Sequence, residues 1–186
     1  MTVTFFADGR ILHNGAEVAS EKMVDMWQVT DAIDSSDSDS YLPSSQFTRN
    51  DRNAAASTVG TGMSVSTDGT WTFPTTGKYM IDIHLNSRAN AGDNTYIGLH
   101  STTDNSTYIE CKRVQSSSSG NSGNSHSGSG SYFINVTDTT QVKVKFYPRS
   151  LQSGSYFEGR TTGFPMQSSI TFTRICLLYT SDAADD

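Results

Sequence analysis

Long apolar runs are missing from this sequence: no stretch approaches the roughly 18 consecutive apolar residues that a membrane-spanning helix needs. Hydrophobic residues are 34% of 186 and the mean hydropathy is −0.45, so membrane insertion is not expected. Positive charge is short as well. Thirteen Lys and Arg stand against 19 Asp and Glu, a net charge of −6, which sets aside a phosphate-binding surface and with it a nucleic-acid partner. Helix formers never recur for long at a 3.6-residue period. Catalytic signatures are absent too: no Gly-x-Ser-x-Gly elbow, Walker loop, dinucleotide glycine fingerprint or His-Glu-x-x-His occurs. No enzyme activity and no cofactor are therefore expected, and Asp82, Asp93 and Glu158 are carboxylates that sequence alone cannot bring together. Met1 to Phe6 has no basic segment before it and is interrupted at Asp8, so it does not read as a secretory signal. Synthesis in the cytoplasm is the expectation.

What the sequence does have is Ser, Thr, Gly, Asn and Asp in abundance, the composition of short strands joined by many turns. The best-ordered stretch is Trp71 to Asn86, WTFPTTGKYMIDIHLN. Trp71 and Phe73 alternate with Thr70 and Thr72, Pro74 and Gly77 mark a tight turn, and Tyr79, Ile81, Ile83 and Leu85 then alternate with Met80, Asp82, His84 and Asn86. Upstream, Asp68-Gly69 predicts a hairpin turn. The fold class is all-β.

Residues 1–21 form a lead in which Thr2 to Phe6 and Ile11-Leu12 favour strands and Asp8-Gly9 and Asn14-Gly15 favour turns; it reads equally as an attachment segment and as a disordered start. Lys22 to Ile33 alternates as an opening strand. Val24, Met26, Gln28 and Thr30 share one face and Met23, Asp25, Trp27 and Val29 the other. Neither face is cleanly apolar, which predicts a bulge or an edge position. A short strand is expected near Gln46 to Arg49. Further strands are predicted at Tyr96 to His100, with Ile97 and Leu99 inward, and at Tyr108 to Val114, after a turn at Asp104-Asn105. Two more are expected at Ser131 to Val136 and Gln141 to Tyr147, the latter ended by Pro148. Ser168 to Ile175 closes the sheet with Ile170 and Phe172 on one face. His84 and His100 lie opposite the apolar sets of their strands; they are placed to meet across a sheet or to line an axis between subunits, where paired His would invite a metal, or to stay as exposed strand histidines with no role.

The run GTGMSVS, Gly60 to Ser66, with the Phe-Pro-x-x-Gly-x-Tyr of Phe73 to Tyr79 and Trp27 near the domain start, resembles the C1q-like, tumour-necrosis-factor-like jelly roll, most of all the version found on phage virion and tail-fibre proteins. The resemblance covers about Lys22 to Ile175. It implies a jelly-roll β-sandwich at 22–175, a homotrimer around an axis, and a virion component, either a tail-fibre head or a capsid decoration, that contacts a host-surface glycan or protein. Two alternatives stay open: a purely structural trimerisation or capping domain, and a C1q-like adhesin of cellular origin. Virion localisation follows from the same resemblance.

Residues 176–186, CLLYTSDAADD, resemble the translated read-through of a sequencing adapter. That likeness implies that they carry no function and leaves Cys111 as the single cysteine, unable to form an internal disulfide and in keeping with a reducing site of synthesis. A chain ending at Ile175 is then expected to melt within about 5 °C of the full chain, a shift of roughly 1 kcal/mol or more at this size; a larger drop in a calorimetric scan would show that the tail packs.

Recognition is expected in loops carried by a rigid sandwich. Gln115 to Gly130, QSSSSGNSGNSHSGSG, reads as a long flexible loop containing His126, either a recognition loop or a neutral length variant. Arg149 to Met166 reads as a second loop. Tyr156 and Phe157 would supply contact area there, and Arg149 and Arg160 donors for a carbohydrate or carboxylate. The cluster Asp31, Asp34, Asp37 and Asp39 has the oxygen ligands that Ca²⁺ takes but neither the EF-hand spacing nor its glycine, and its other reading is a solvated loop.

Overall fold

A computed structural model of the chain describes residues 3–5, 11–13, 16–17, 22–49, 57–90, 93–117, 125–149, 151–160 and 167–175. The strands, in order, are β1 Val3–Phe5, β2 Ile11–His13, β3 Ala16–Glu17, β4 Met23–Val29, β5 Phe47–Arg49, β6 Thr58–Val59, β7 Ser64–Val65, β8 Trp71–Thr72, β9 Gly77–Arg88, β10 Asn94–Thr102, β11 Ile109–Ser117, β12 Ser125–Val136, β13 Lys143–Arg149, β14 Tyr156–Phe157 and β15 Ser169–Ile175. The helical element among these residues is a single 3-10 turn at Ser44–Gln46. No helix among them is long and apolar enough to cross a membrane.

β1, β2 and β3 form a small antiparallel sheet of their own, so the two strands read in the lead are present, while the turns expected at Asp8-Gly9 and Asn14-Gly15 lie outside the described residues. The remaining strands make a jelly-roll β-sandwich. One sheet has five strands in the order β11-β10-β13-β8-β7; the other has seven, β12-β9-β15-β4-β5 with β14 added on β9 and β6 on β4. Every pairing is antiparallel. The alternation of β9 is fulfilled: Tyr79, Ile81, Ile83 and Leu85 are all buried in the shared core. Trp71 lies at its centre with its ring centroid 4.9 Å from Trp27, 5.1 Å from Phe47, 5.8 Å from Phe146 and 5.1 Å from Phe172. These four rings come from both sheets, so Trp71 is the side chain that joins the layers.

Several expectations are corrected. β8 and β9 flank the turn at Pro74 but belong to different sheets, so that turn carries the chain across the sandwich. β15 lies inside its sheet, between β9 and β4, and does not close an edge. Pro148 lies within β13. Its carbonyl accepts from the N–H of Asp39, so its backbone edge faces away from β10 and the missing N–H costs no ladder bond. β4 carries no bulge in its pairing with β15 and is not an edge strand; its mixed face is explained by Asp25, which points inward and is 0% exposed.

The carboxylate of Asp25 accepts from Arg49 Nε at 2.8 Å and Nη2 at 3.0 Å, Thr58 Oγ1 at 2.9 Å and the N–H of Met63 at 2.6 Å. The Gly-x-Gly-Met motif wraps this group: a Cβ on Gly62 would stand 2.6 Å from Asp25 Oδ2 and 2.7 Å from Arg49 Nη2. Glycine is required there by close approach.

The largest departure concerns Gln115 to Gly130. Its two flanks are strand, β11 through Ser117 and β12 from Ser125; residues 118–124 lie outside the described set. Ser125, Ser127, Ser129 and Ser131 face out while His126, Gly128, Gly130 and Tyr132 face in. A Cβ on Gly128 would lie 2.4 Å from the Gln115 carbonyl oxygen, and one on Gly130 2.9 Å from Lys112 Cε. The glycines let β12 and β11 close the side of the sandwich, so a composition that suggests flexibility here serves tight packing.

Candidate functional site

Two outward faces carry chemistry. On the seven-stranded sheet the register sets side chains in rows: Ser129, His84, Ser169 and Gln28; Ser131, Asp82, Thr171 and Met26; Phe133, Met80, Thr173 and Val24. From the first two rows, Ser129, His84, Ser169, Ser131, Asp82 and Thr171 line a groove of about 250 Å³. Asp82 is held there by Ser131, whose hydroxyl donates to Oδ1 at 2.5 Å, and Oε1 of buried Gln28 has no hydrogen-bond partner. Phe133 is 63% exposed at the end of the third row, and Ile109 on neighbouring β11 is 67% exposed. β12 and β11 form the same side of the sandwich, and β12 is an edge of its sheet.

The five-stranded sheet presents three rows of its own: Glu110, His100 and Lys145; Arg113, Gly98 and Tyr147; Gln115, Tyr96 and Arg149. Tyr41, from the segment before β5, packs edge-on against His100 and Tyr147 with centroids 5.5 and 5.1 Å away. The His100 and Tyr147 rings stack at 5.2 Å. Lys145 Nζ lies 4.8 Å over the Tyr41 ring and 5.1 Å over Tyr108, and donates to Asp68 Oδ2 at 2.9 Å. The Ser66 hydroxyl foremost, with Lys145 and Thr70, holds the Asp68 carboxyl well below the usual carboxylate range. Burial pushes the His100 imidazole down, against the opposing pull of Glu110, so it is neutral at neutral pH. Burial, then Tyr147 and Tyr108, raises the Tyr41 phenol.

The residues expected to form a recognition loop are dispersed. Phe157 is 0% exposed in the core and pairs with Ser87 and Ile33, so it is withdrawn as a ligand contact; an aromatic in a Gly-rich segment proved to be an anchor. His126 stands on β12 opposite Ser87, with Nε2 buried and unpartnered, and is not on a loop. Tyr156 is half-buried on β14 beside Arg88. Arg160 is exposed and donates its N–H to the Val29 carbonyl. Arg149 is exposed at the end of β13, next to Tyr96. No hydrogen bond, ion pair or ring contact joins Arg149, Tyr156 and Arg160 to one another among the described residues. His84 and His100 lie on different sheets, so they do not meet.

The four aspartates act locally. Asp31 Oδ1 accepts from the Ala32 N–H, Asp34 Oδ1 from the Ser36 N–H and hydroxyl, and Asp37 Oδ2 from the Asp34 N–H. Asp39 takes a left-handed φ of 59°. Among the described residues no three His, Cys, Asp or Glu converge on a metal position. Glu158 is buried with Arg88 Nε 2.9 Å away, and Asp93 is buried with Oδ2 accepting from the Gln152 N–H; neither joins Asp82. Cys111 donates to the Leu99 carbonyl, and burial raises its thiol. Sequence reasoning named Arg149 and His100 singly but missed the five-stranded face that gathers them. The signal was present in polar–aromatic alternation along Tyr96, His100, Lys145 and Tyr147, but which strands are neighbours is not written locally.

No family model and no curated protein matches the chain. Solved structures do. Eiger TNF from S. frugiperda superposes with a TM-score of 0.61 at 10% identity, covering 90% of this chain and 99% of that one. Murine APRIL at pH 5.0 gives 0.54 at 7% identity over 84% of this chain and 100% of its own, and at pH 8.0 gives 0.52 at 9% over the same shares. The fold is the tumour-necrosis-factor type of jelly roll. At such identities the likeness speaks for architecture alone.

Proposed function

We propose that the chain is a non-enzymatic recognition module that assembles as a homotrimer through the groove-bearing face of the seven-stranded sheet and the β11–β12 side. The observation that carries this is the pair of large apolar side chains left in solvent on that side, Phe133 at 63% and Ile109 at 67% exposure. A monomer gains nothing from presenting them beside a 12-residue edge strand, and edges of this kind invite pairing or burial. Met26 and Met80, in adjacent rows of that face, offer a receiving surface, and an arrangement that returns the chain to itself after three contacts closes without leaving an open end. The tumour-necrosis-factor type of fold supports the reading. The finer role is a virion tail-fibre head or capsid decoration meeting a host surface, drawn from the resemblance in the Gly60 to Tyr79 stretch; a cellular adhesin would use the same assembly on a different surface. No metal or cofactor enters the proposal.

Light scattering on the full chain should give the mass of three copies at micromolar concentration, with each contact burying about 1,000 Å² or more. The double variant Phe133→Asp, Ile109→Asp should run as a folded monomer. A parent that is strictly monomeric, or a double variant that keeps the parent mass, overturns the assembly.

A further inference from the structure

The seven-stranded face and the β11–β12 side each hold a charge that the chain leaves unmatched. Asp82 stands in the groove with Ser129, Ser131, Ser169, Thr171 and His84, and no Lys or Arg among the described residues lines it. Its carboxylate accepts from the Ser131 hydroxyl at 2.5 Å, and no described residue forms an ion pair with it. Lys112 is the converse. It pairs with Leu99 on β10, which is buried in the core, so it starts on the inward side of β11 at the edge of its sheet. Its stem then passes β12 where that strand has no side chain: a Cβ on Gly130 would stand 2.9 Å from Lys112 Cε and 3.6 Å from Nζ. The side chain is half-buried, and among the described residues its ammonium has neither a hydrogen bond nor an ion pair. Holding a cation part-way out of water without a counter-charge costs stability in a single copy. The surroundings of the two charges match as well. Exposed Ile109 lies near Lys112 on β11, and exposed Phe133 near Gly130 on β12. Met26 shares the Asp82 row and Met80 stands in the next.

We propose that the Lys112 ammonium of one copy enters the groove of the next and pairs with Asp82 there, so that each groove is completed by a neighbouring chain. This rests on assembly through these two surfaces and names the pair that sets its register. The groove suits an ammonium by chemistry. Lysine brings three donors and no acceptor. Asp82 Oδ2 and the hydroxyls of Ser129, Ser169 and Thr171 offer acceptors around one negative charge. A carboxylate or phosphate in their place would be repelled by Asp82. A second copy is the occupant that the charges favour. A head-to-tail contact joins two different patches of the same chain, so each patch must complement the other. Here one is a cation flanked by Ile109 and Phe133, and the other a carboxylate beside two methionines. Within one copy the pair does not form, because Lys112 lies on the inward side of β11 and Asp82 on the outward face of β9. A charge pair in such a contact fixes register and partner choice more than it adds raw affinity.

The test is analytical ultracentrifugation of the full chain over a concentration series, for the parent, Asp82→Lys, Lys112→Asp and the two reversals combined. Each single reversal sets like charges against each other and should raise the concentration at which copies assemble by at least about tenfold. The combined reversal restores opposite charges with the positions exchanged, and should recover most of that loss. Near-ultraviolet circular dichroism checks that each variant is folded. If Lys112→Asp does not fold, Lys112→Gln, which keeps the stem along Gly130 and removes only the charge, takes its place and should relieve the defect of Asp82→Lys. Single reversals that assemble like the parent, or a combined variant no better than Asp82→Lys alone, overturn the pair. The same series separates the pair from the assembly. A parent that assembles, is broken up by Phe133→Asp with Ile109→Asp and ignores the charge reversals loses the Lys112–Asp82 pair alone. A parent that is monomeric at every concentration loses the assembly and the pair with it.

Discussion

Arg49→Ala should destabilise the protein by about 3–5 kcal/mol, the range for removing one partner of a buried ion pair. Asp25 has no exposure, whereas the Arg49 side chain keeps 32%, so the carboxylate is the member that cannot reach water when its partner goes. Burial on its own pushes the Asp25 carboxyl up; the hydrogen bonds from Arg49, Thr58 and Met63 outweigh it and hold the group below its ordinary value. The sign of the pH dependence follows. A depressed carboxylate contributes stability above its unfolded value near 3.9, and loses it as pH falls through the folded value. Without Arg49 the burial effect dominates, so the variant should lose stability as pH rises. The gap between parent and variant is then widest at neutral pH and narrows toward pH 3. Guanidinium unfolding at several pH values reads this directly; a gap that does not change with pH would show that Arg49 acts only through packing on Trp27, over which its guanidinium lies at 4.2 Å. Asp25→Leu combined with Arg49→Ala should recover most of the loss, because no charge is then left buried.

Trp71→Ala should cost about as much, roughly 3–5 kcal/mol, or a fall in Tm of roughly 6–20 °C at this chain length. The indole is fully buried and touches aromatic rings from both sheets, so its removal leaves a cavity that neither layer can collapse into without moving the other. Trp71→Phe should be far milder. Its lost volume is smaller, and it deletes an indole N–H that is buried without a partner, whose desolvation the parent bears. The comparison is made by urea unfolding with the m-value monitored. A loss below about 1 kcal/mol for the alanine variant, the ordinary effect of a point substitution, would mean that the sheets are held together elsewhere.

What could be read from the chain beforehand was whatever is written at period 2. Tyr79 to Leu85, Ile97 and Leu99, and Val144 and Phe146 showed their inward faces because the signal lies within each strand. Asp25 did not, since its acceptance into the core depends on Arg49, 24 residues away, and on Thr58 and Met63, 33 and 38 away. The Ser-Gly stretch of β12 also carried a period-2 pattern, but its inward residues are glycines, which look the same whether they provide freedom or close approach. The site was less legible still. Arg149 could be named as a donor, whereas Glu110, Gly98 and His100 become one feature only once β10 is set beside β11 and β13.

The position of β15 bears on how the protein is made. β4 and β9 emerge from the ribosome first, yet neither meets the other in the sheet; both wait for Ser169 to Ile175 to enter between them. A nascent chain stopped at residue 168 would hold two open strand flanks toward the same gap, which is where a foreign strand could lodge. Completion of the sandwich therefore waits for the last of its strands, and any holding factor would have to guard that slot until Ser169 to Ile175 have emerged.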